Sequence, residues 1–209
     1  MNSSVPKQFL KIKNEIILMK SMRAFYSFDP AIEIVLALPE NQIEAWRELV
    51  KIESFEIKHD VVSGGASRFH SVKNALSVIG NDGFVAIHDG VRPLVSKQTI
   101  EATFEKVKES GNAIPYIDIN DSIRFVDDQK NTSVDRTKYK SIQTPQVFDC
   151  ILIKKAYEQE YSEKFTDDAS VVESTGIKIN LVKGNIENIK ITTQVDLKLA
   201  EVLSDYLSE

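Results

Sequence analysis

The stretch 84–93, Phe-Val-Ala-Ile-His-Asp-Gly-Val-Arg-Pro, constrains the fold of this 209-residue chain more than any other part of its sequence. Its four leading apolar residues are too few for a helix and fit a strand that is buried on both faces, as in a parallel sheet. The apolar run then ends, so that Asp89 stands where a buried strand opens into a loop. Because ligands of open α/β sheets bind beyond the carboxyl ends of strands, this loop is the first candidate for a functional site.

Asp89 has two possible roles at this position. It could hold a metal ion, with Arg92 either anchoring the loop or facing an anion. The commoner role of a single Asp at the end of a strand is to end that strand and cap the helix that follows. His88 is expected to pack or to form hydrogen bonds behind Asp89 rather than to take part in chemistry.

The first half of the chain alternates strands with helices. Apolar residues at helical spacing predict helices over 15–28 with Asn14 as N-cap, over 40–52, over 68–79, and over 96–110 with Ser96 as N-cap. Apolar runs predict strands over 32–38, 57–62 and 84–87, and residues 5–10 are expected to be extended. This order predicts an α/β fold with a doubly wound, mostly parallel sheet.

The pattern changes near residue 113, where short strands follow one another. They are predicted over 113–119, 122–126 and 132–134 and around Ile142, with a polar turn at 127–131. Together they form an antiparallel β-arm, about 115–143, that leaves the parallel core. Because a hairpin that cannot bury its own faces usually packs on a partner, the arm predicts a homodimer.

The last third of the chain returns to alternating elements. Helices are predicted over 149–160, from an N-cap at Thr166, and over 193–207, and strands over 177–182 and 188–192. The final helix is expected to turn Val195, Leu199, Val202 and Leu203 inward. No internal repeat or low-complexity linker divides residues 1–209, so a single domain is predicted.

Composition excludes several classes of function. Hydrophobic residues make up 42% of the chain and charged residues 27%, and the net charge is −5 without a basic block, which argues against nucleic acid as a partner. No apolar run approaches the ~20 residues that cross a bilayer, which argues against a membrane protein. Cys150 is the only cysteine, so no intrachain disulfide is possible, and a cytoplasmic location is expected.

A second group of polar residues surrounds the pair Gly64-Gly65. Glycines between a strand and a helix let the backbone approach a ligand closely, and Arg68 and Ser71 share one face of the helix's first turn. The alternative is a plain junction between a strand and a helix. Lys7, taken alone, fits an ordinary surface lysine as well as a phosphate ligand.

Seven short motifs occupy residues 6–9, 64–72, 88–93, 135–136, 143–146, 166–170 and 188–192. Each is modest alone, but the set in this order is highly specific. By these motifs the chain resembles the 2-C-methyl-D-erythritol 4-phosphate cytidylyltransferase family of the non-mevalonate isoprenoid pathway, from Val5 to the last helix. The ribitol-5-phosphate cytidylyltransferases are the relatives that must be distinguished from it.

The resemblance implies a Rossmann-like nucleotidyltransferase fold with a β-arm that interlocks two subunits. It implies CTP and methylerythritol phosphate as substrates and Mg²⁺, or another divalent cation, as cofactor. The implied catalytic residues are Lys7 on the triphosphate, and Arg136 and Lys190 on the phosphate of the acceptor. Further site residues implied by the resemblance are Gly65, Arg68 and Ser71 at the cytidine end, Asp89 as metal ligand with Gly90 beside it, and Ser122, Thr144 and Thr166 in the acceptor pocket.

One part of the family pattern is missing from this sequence. The family begins with an apolar strand and a Gly-rich loop ahead of Pro-Lys-Gln-Phe, and Met1 falls where the last residue of that loop belongs. The missing strand should leave a gap beside the strands at 32–38 and 84–88. A start codon assigned too far downstream, a truncated chain, and an inactive nucleotide-binding dimer are the alternatives. The coding DNA just before Met1 distinguishes them.

Overall fold

The computed structural model of the protein describes residues 5–207 as an α/β fold. Residues Lys7–Phe9 form one turn of 3-10 helix rather than the predicted extended segment, because Phe9 and Leu10 donate hydrogen bonds to the carbonyls of Pro6 and Lys7. The helices are α1 (Ile17–Phe28), α2 (Glu40–Ile52), α3 (Arg68–Leu76), α4 (Lys97–Ser110), α5 (Cys150–Ala156), α6 (Asp168–Glu173) and α7 (Gln194–Tyr206).

Eleven strands accompany these helices in the described part of the chain. They are β1 (Lys11–Ile12), β2 (Glu15–Ile16), β3 (Val35–Leu38), β4 (Asp60–Ser63), β5 (Phe84–Ile87), β6 (Asn112–Asp118), β7 (Arg124–Val126), β8 (Asn131–Ser133), β9 (Lys140–Ile142), β10 (Gln146–Asp149) and β11 (Leu181–Lys183).

The main sheet runs in the order β11, β6, β10, β5, and β9 pairs with the far end of β6. Strand β10 is antiparallel to both of its neighbours, and β11 is parallel to β6, so that β5, β6 and β11 point in one direction. The predicted mostly parallel sheet is therefore confirmed. The reversed strand β10, between β5 and β6, was not predicted from the sequence.

Helices cover both faces of this sheet. On one face, Ile114 of β6 and Phe148 of β10 join the core built on α3, α5 and α6. On the other face, their neighbours Ala113 and Val147 pack against Val107 of α4. Because successive residues of a strand point to opposite faces, this alternation is what a doubly wound fold requires.

Strands β3 and β4 form a separate parallel pair. Among the described residues no backbone hydrogen bonds join β3 to β5. The resemblance predicts a gap at this place. The pair is held instead by a second core around the buried Trp46 of α2, which stacks with Phe9 at a centroid distance of 5.9 Å.

Several predicted boundaries were wrong. The first long helix begins at Ile17 rather than near Asn14, because residues 11–16 form the small hairpin β1–β2. Helix α6 is capped by Asp167 and not by Thr166. Residues 188–192 are not a strand but a loop. Of the four residues that the last helix was expected to turn inward, Leu203 is partly buried, but Val195, Leu199 and Val202 are 73%, 45% and 66% exposed.

The arm is present as the hairpin β7–β8, followed by β9. All six residues of β7 and β8 are exposed, including Phe125 and Val126. No helix in the described part of the chain has the length and apolar character that crossing a membrane requires.

Candidate functional site

Asp89 follows the carboxyl end of β5, and three cationic side chains surround its carboxylate. Lys190 Nζ lies 3.0 Å from Oδ2, Arg92 Nε lies 3.4 Å from the same oxygen, and Arg68 Nε lies 3.7 Å from Oδ1. Burial alone would raise the pKa of Asp89, but the charges of Lys190, Arg68 and Arg92 outweigh burial and lower it. The carboxylate is therefore ionised near neutral pH.

His88 and Thr144 fix the loop from behind. The Asp89 N–H donates to Thr144 Oγ1 at 3.0 Å, and Thr144 Oγ1 lies 3.1 Å from His88 Nδ1. His88 Nε2 lies 3.0 Å from the Arg92 carbonyl. A carbonyl can only accept, so Nε2 carries the proton and Nδ1 accepts from the hydroxyl of Thr144. Burial lowers the pKa of His88 to about 4. His88 forms the hydrogen bonds that were expected of it behind Asp89.

The loop 188–191 reaches Asp89 because it is tied to residues 91–92. Ile191 N–H donates to the Val91 carbonyl at 3.0 Å, and Arg92 donates to the Asn188 carbonyl at 2.7 Å. Lys190 lies between these two attachments. These two hydrogen bonds, in a loop and not in the predicted strand, place Lys190 beside Asp89.

Arg68, the first residue of α3, is held by a carboxylate distant in sequence. Its two terminal nitrogens donate to the oxygens of the buried Asp168 at 2.8 and 2.5 Å. Tyr157 Oη donates to the same carboxylate at 2.6 Å. Burial alone would lower the pKa of Arg68, but Asp168 outweighs burial and raises it. Burial, together with Asp168, also raises the pKa of Tyr157.

Asp168 lies within the motif at 166–170, but no role was predicted for it from the sequence. Asp168 and Arg68 are 100 residues apart. An acidic residue in the first turn of a helix already has a local explanation, because it favours the helix dipole. No signal within the motif pointed to its actual partner.

The pair Gly64-Gly65 forms a tight entry into α3. Gly65 N–H donates to Ser71 Oγ at 3.0 Å, and this hydroxyl also donates to the Ser67 carbonyl at 3.0 Å. A Cβ at position 65 would lie 2.3 Å from His70 Cβ. Glycine is therefore required by close packing, and the backbone of Gly65 is exposed at the surface.

Gly90 lies against α1, and Lys7 lies in the 3-10 turn near the start of the described chain. The Gly90 carbonyl accepts from Ser21 Oγ at 3.0 Å, and a Cβ on Gly90 would lie 2.6 Å from Leu18 Cδ1. Lys7 is half-buried in the 3-10 turn, and within residues 5–207 its ammonium group has no hydrogen-bond or ion-pair partner.

The remaining predicted residues are dispersed in the single chain. Thr144 is buried beneath Asp89, whereas Ser122 and Thr166 are exposed. Arg136 lies on the arm and donates to the carbonyl of Asn120, which belongs to the same arm. The chain thus brings together Asp89, Arg68 and Lys190, with Thr144 behind them, and leaves Arg136 on a separate projection.

The residues near Asp89 are suited to a cation that a ligand helps to hold. Within residues 5–207, no three His, Cys, Asp or Glu side chains form a group that could bind a metal by themselves. Mg²⁺ usually takes one or two carboxylates, with phosphate oxygens and water as its other ligands. One ionised carboxylate beside several cations therefore fits a site for a phosphate-bound cation.

Comparison with known proteins gives a consistent result. The family model described as IspD, 2-C-methyl-D-erythritol 4-phosphate cytidylyltransferase, matches residues 1–205. The proteins of that name from Bacteroides fragilis and Phocaeicola vulgatus are 49% and 46% identical over 203 residues, which are 97% of this chain and 93% of each relative.

Solved structures agree with these relatives. The 4-diphosphocytidyl-2C-methyl-D-erythritol synthase of Anaerococcus prevotii superimposes with a TM-score of 0.84 at 26% identity, covering 97% of this chain and 93% of that one. The 2-C-methyl-D-erythritol 4-phosphate cytidylyltransferase of Thermus thermophilus gives 0.79 at 28% identity, covering 97% and 96%. By its motifs, its fold and these matches, the chain belongs to the 2-C-methyl-D-erythritol 4-phosphate cytidylyltransferase (IspD) family.

Proposed function

We propose that this protein joins CTP to 2-C-methyl-D-erythritol 4-phosphate, giving CDP-methylerythritol and pyrophosphate in isoprenoid precursor biosynthesis. A phosphate oxygen of the acceptor attacks the α-phosphorus of CTP, and pyrophosphate leaves. The observation that carries the proposal is the Asp89 carboxylate with three cations around it, at the carboxyl end of β5, in a chain of this family. Two polyanions must meet, so positioning and charge neutralisation supply the catalysis.

The proposed roles follow the family resemblance. Lys7 contacts the triphosphate, and Gly65, Arg68 and Ser71 hold the cytidine end, with Gly90 beside the phosphates. Arg136 and Lys190 bind the acceptor's phosphate in a pocket completed by Ser122, Thr144 and Thr166. Lys190 is half-exposed and already 3.0 Å from a carboxylate oxygen, so it can exchange this partner for a phosphate.

Asp89 is the proposed ligand of Mg²⁺, with phosphate oxygens completing the coordination. When bound, the ion would neutralise charge on the phosphates. Asp89 is ionised and partly accessible, as such a ligand must be.

The arm is the proposed contact of a homodimer, in which Ser122 and Arg136 serve the neighbouring subunit. Its exposed Phe125 and Val126 need a surface to cover them.

A cytoplasmic location is proposed from the single cysteine alone. Ribitol-5-phosphate transfer and an inactive nucleotide-binding dimer are less favoured, because the family model and the named relatives describe methylerythritol phosphate enzymes.

The reaction is tested by measuring pyrophosphate release from CTP, with methylerythritol phosphate or ribitol 5-phosphate as acceptor. Turnover is expected with methylerythritol phosphate and Mg²⁺, and it should stop when the metal is chelated. Turnover with ribitol 5-phosphate alone would favour the relative. CTP binding in calorimetry without turnover on either acceptor would favour the inactive dimer.

Lys190→Ala tests the site itself. Removing a charged contact made in the transition state is expected to cost on the order of 3 kcal/mol, about a hundredfold in kcat. Lys198→Ala removes an exposed lysine of α7 and should leave the rate unchanged. Sedimentation should find both variants in the oligomeric state of the parent protein. An unchanged rate in Lys190→Ala would show that Lys190 is only a surface lysine.

A further inference from the structure

We propose that Asp168, assisted by Tyr157, is a positioning residue that holds the Arg68 guanidinium in place against Asp89. Asp168 occupies both terminal nitrogens of Arg68. Its Nε lies 3.7 Å from Asp89 Oδ1. The guanidinium thus spans two carboxylates, and its planar shape fixes the orientation of both contacts.

The same pair of strands, β5 and β10, supports both Asp89 and the first turn of the helix that carries Asp168. Gln146 of β10 accepts from Ala169 N–H at 2.8 Å and donates to Asp167 at 2.8 Å, which ties the first turn of α6 to the sheet. Gln146 pairs in register with Ile87, two residues before Asp89. Two adjacent strands therefore set the distance between the carboxylates that Arg68 bridges, and sites on such rigid elements are precise.

Asp168 is fully buried, and a buried carboxylate needs charged or hydrogen-bonding partners. Two bonds come from Arg68 and one from Tyr157. A guanidinium that is already fixed keeps the Asp89 carboxylate in its orientation, so Asp89 need not reorganise as charge develops on the phosphates, which is the condition for electrostatic catalysis. The kinetic part of the inference rests on the proposed function; the geometric part does not.

Asp168→Asn is the first variant, because it keeps the shape but removes the charge and sets an NH₂ group against Arg68. We expect kcat to fall by about 10- to 100-fold, the range found for displaced supporting groups. Tyr157→Phe keeps the carboxylate and should give a smaller fall in the same direction. If Asp168→Asn does not fold, Tyr157→Phe decides.

A double-mutant cycle separates positioning from a direct role. Because Asp168 acts through Arg68, Arg68→Lys combined with Asp168→Asn should be no slower than Arg68→Lys alone. Gln159→Ala is the matched control. Gln159 donates to the carbonyls of Ala156 and Val171 at 2.7 and 3.1 Å and so joins α5 to α6 without touching Arg68. It should lower the melting temperature and leave kcat unchanged.

A second measurement does not depend on turnover. The ¹⁵N–H signal of Arg68 Nε, assigned by its loss in Arg68→Lys, should shift or broaden in Asp168→Asn and stay in place in Gln159→Ala. If the parent protein has no transferase activity, the proposed function fails while this signal still judges the positioning. An unmoved Arg68 signal in Asp168→Asn, multiplicative losses in the cycle, or an equal loss of kcat in Gln159→Ala would overturn the proposal.

Discussion

A side chain at position 65 has no room, although the residue lies at the surface. The added Cβ would lie 2.3 Å from His70 Cβ, inside the first turn of α3. From the sequence, this glycine is expected to let the backbone approach a ligand closely. The structure adds a packing reason that a single sequence does not contain, because His70 is five residues ahead and reaches Gly65 only once the helix forms.

Gly65→Ala is expected to lower the free energy of unfolding by about 1–3 kcal/mol, the usual cost of forcing atoms into a packed site. Gly80→Ala is the matched control, because a Cβ there would meet no atom closer than 4.0 Å. Urea unfolding of both variants measures the difference. Calorimetry should also find weaker CTP binding in Gly65→Ala alone. Equal stability of the two variants would contradict the packing argument.

At the scale of elements, hydrophobic periodicity predicted the bounds of some helices closely. It failed where the sequence of a helix was compatible with two orientations against the core. Helices α2 and α4 were predicted within a residue of their observed bounds, with Ser96 as the cap of α4. Helix α7 carries apolar residues on two faces. It buries the face with Ala200 and partly buries Leu203, and it leaves Val195 and Val202 exposed. The sequence of the helix does not say which face meets the core.

Strand β10 was missed for a different reason. Its four residues follow a Thr-Pro turn and run directly into α5, so the segment resembles the start of that helix. It is a strand because β5 and β6 flank it, and those partners are about 60 and 35 residues away. The same dependence on distant partners applies to the site. Local sequence patterns identified Asp89 at the end of its strand and the turn at Gly65, but they did not predict the pairing of Arg68 with Asp168.

The cap of α6 gives a test at this scale. Asp167 accepts from Ser170 N–H at 2.8 Å and from the buried Gln146 side chain at 2.8 Å. Asp167→Ala removes a cap and leaves the amide of Gln146 without a partner, so a loss of about 2–3 kcal/mol is expected.

Thr193→Ala is the comparison for this cap. Thr193 closes the capping box of α7, with Asp196 N–H donating to its hydroxyl at 3.2 Å at the surface. Its loss should cost only about 1 kcal/mol. Thermal unfolding of both variants measures the difference, and equal losses would show that the bond to Gln146 adds nothing.

On the scale of the whole molecule, the net charge of the chain is opposite in sign to the charge of the side chains around Asp89. The net charge is −5, yet Lys190, Arg68 and Arg92 converge on one carboxylate, so the substrates' anions must be attracted locally and not by the overall field. The arm is the other large-scale feature. Its Arg136 bonds only within the arm in the described chain, far in sequence from the strand that carries Asp89.

The dimer proposal places Arg136 in the neighbouring subunit's site, and mixing two inactive variants tests this directly. Arg136→Ala and Lys190→Ala should each be nearly inactive alone. After unfolding and refolding together, half of the dimers are mixed, and each mixed dimer has one site with both residues intact. About a quarter of the parent activity should therefore return.

The control replaces Arg136→Ala by Lys7→Ala, which the proposal places in the same subunit's site as Lys190. Because each subunit of this mixed dimer then carries a defect in its own site, no intact site forms and no activity should return. The decisive experiment mixes the double variant Arg136→Ala/Lys190→Ala with the parent protein. If Arg136 acts across the dimer, both sites of the mixed dimer are damaged, and the activity falls to about a quarter. If Arg136 acts within its own subunit, one site of every mixed dimer survives and about half of the activity remains, which would refute the exchange of arms.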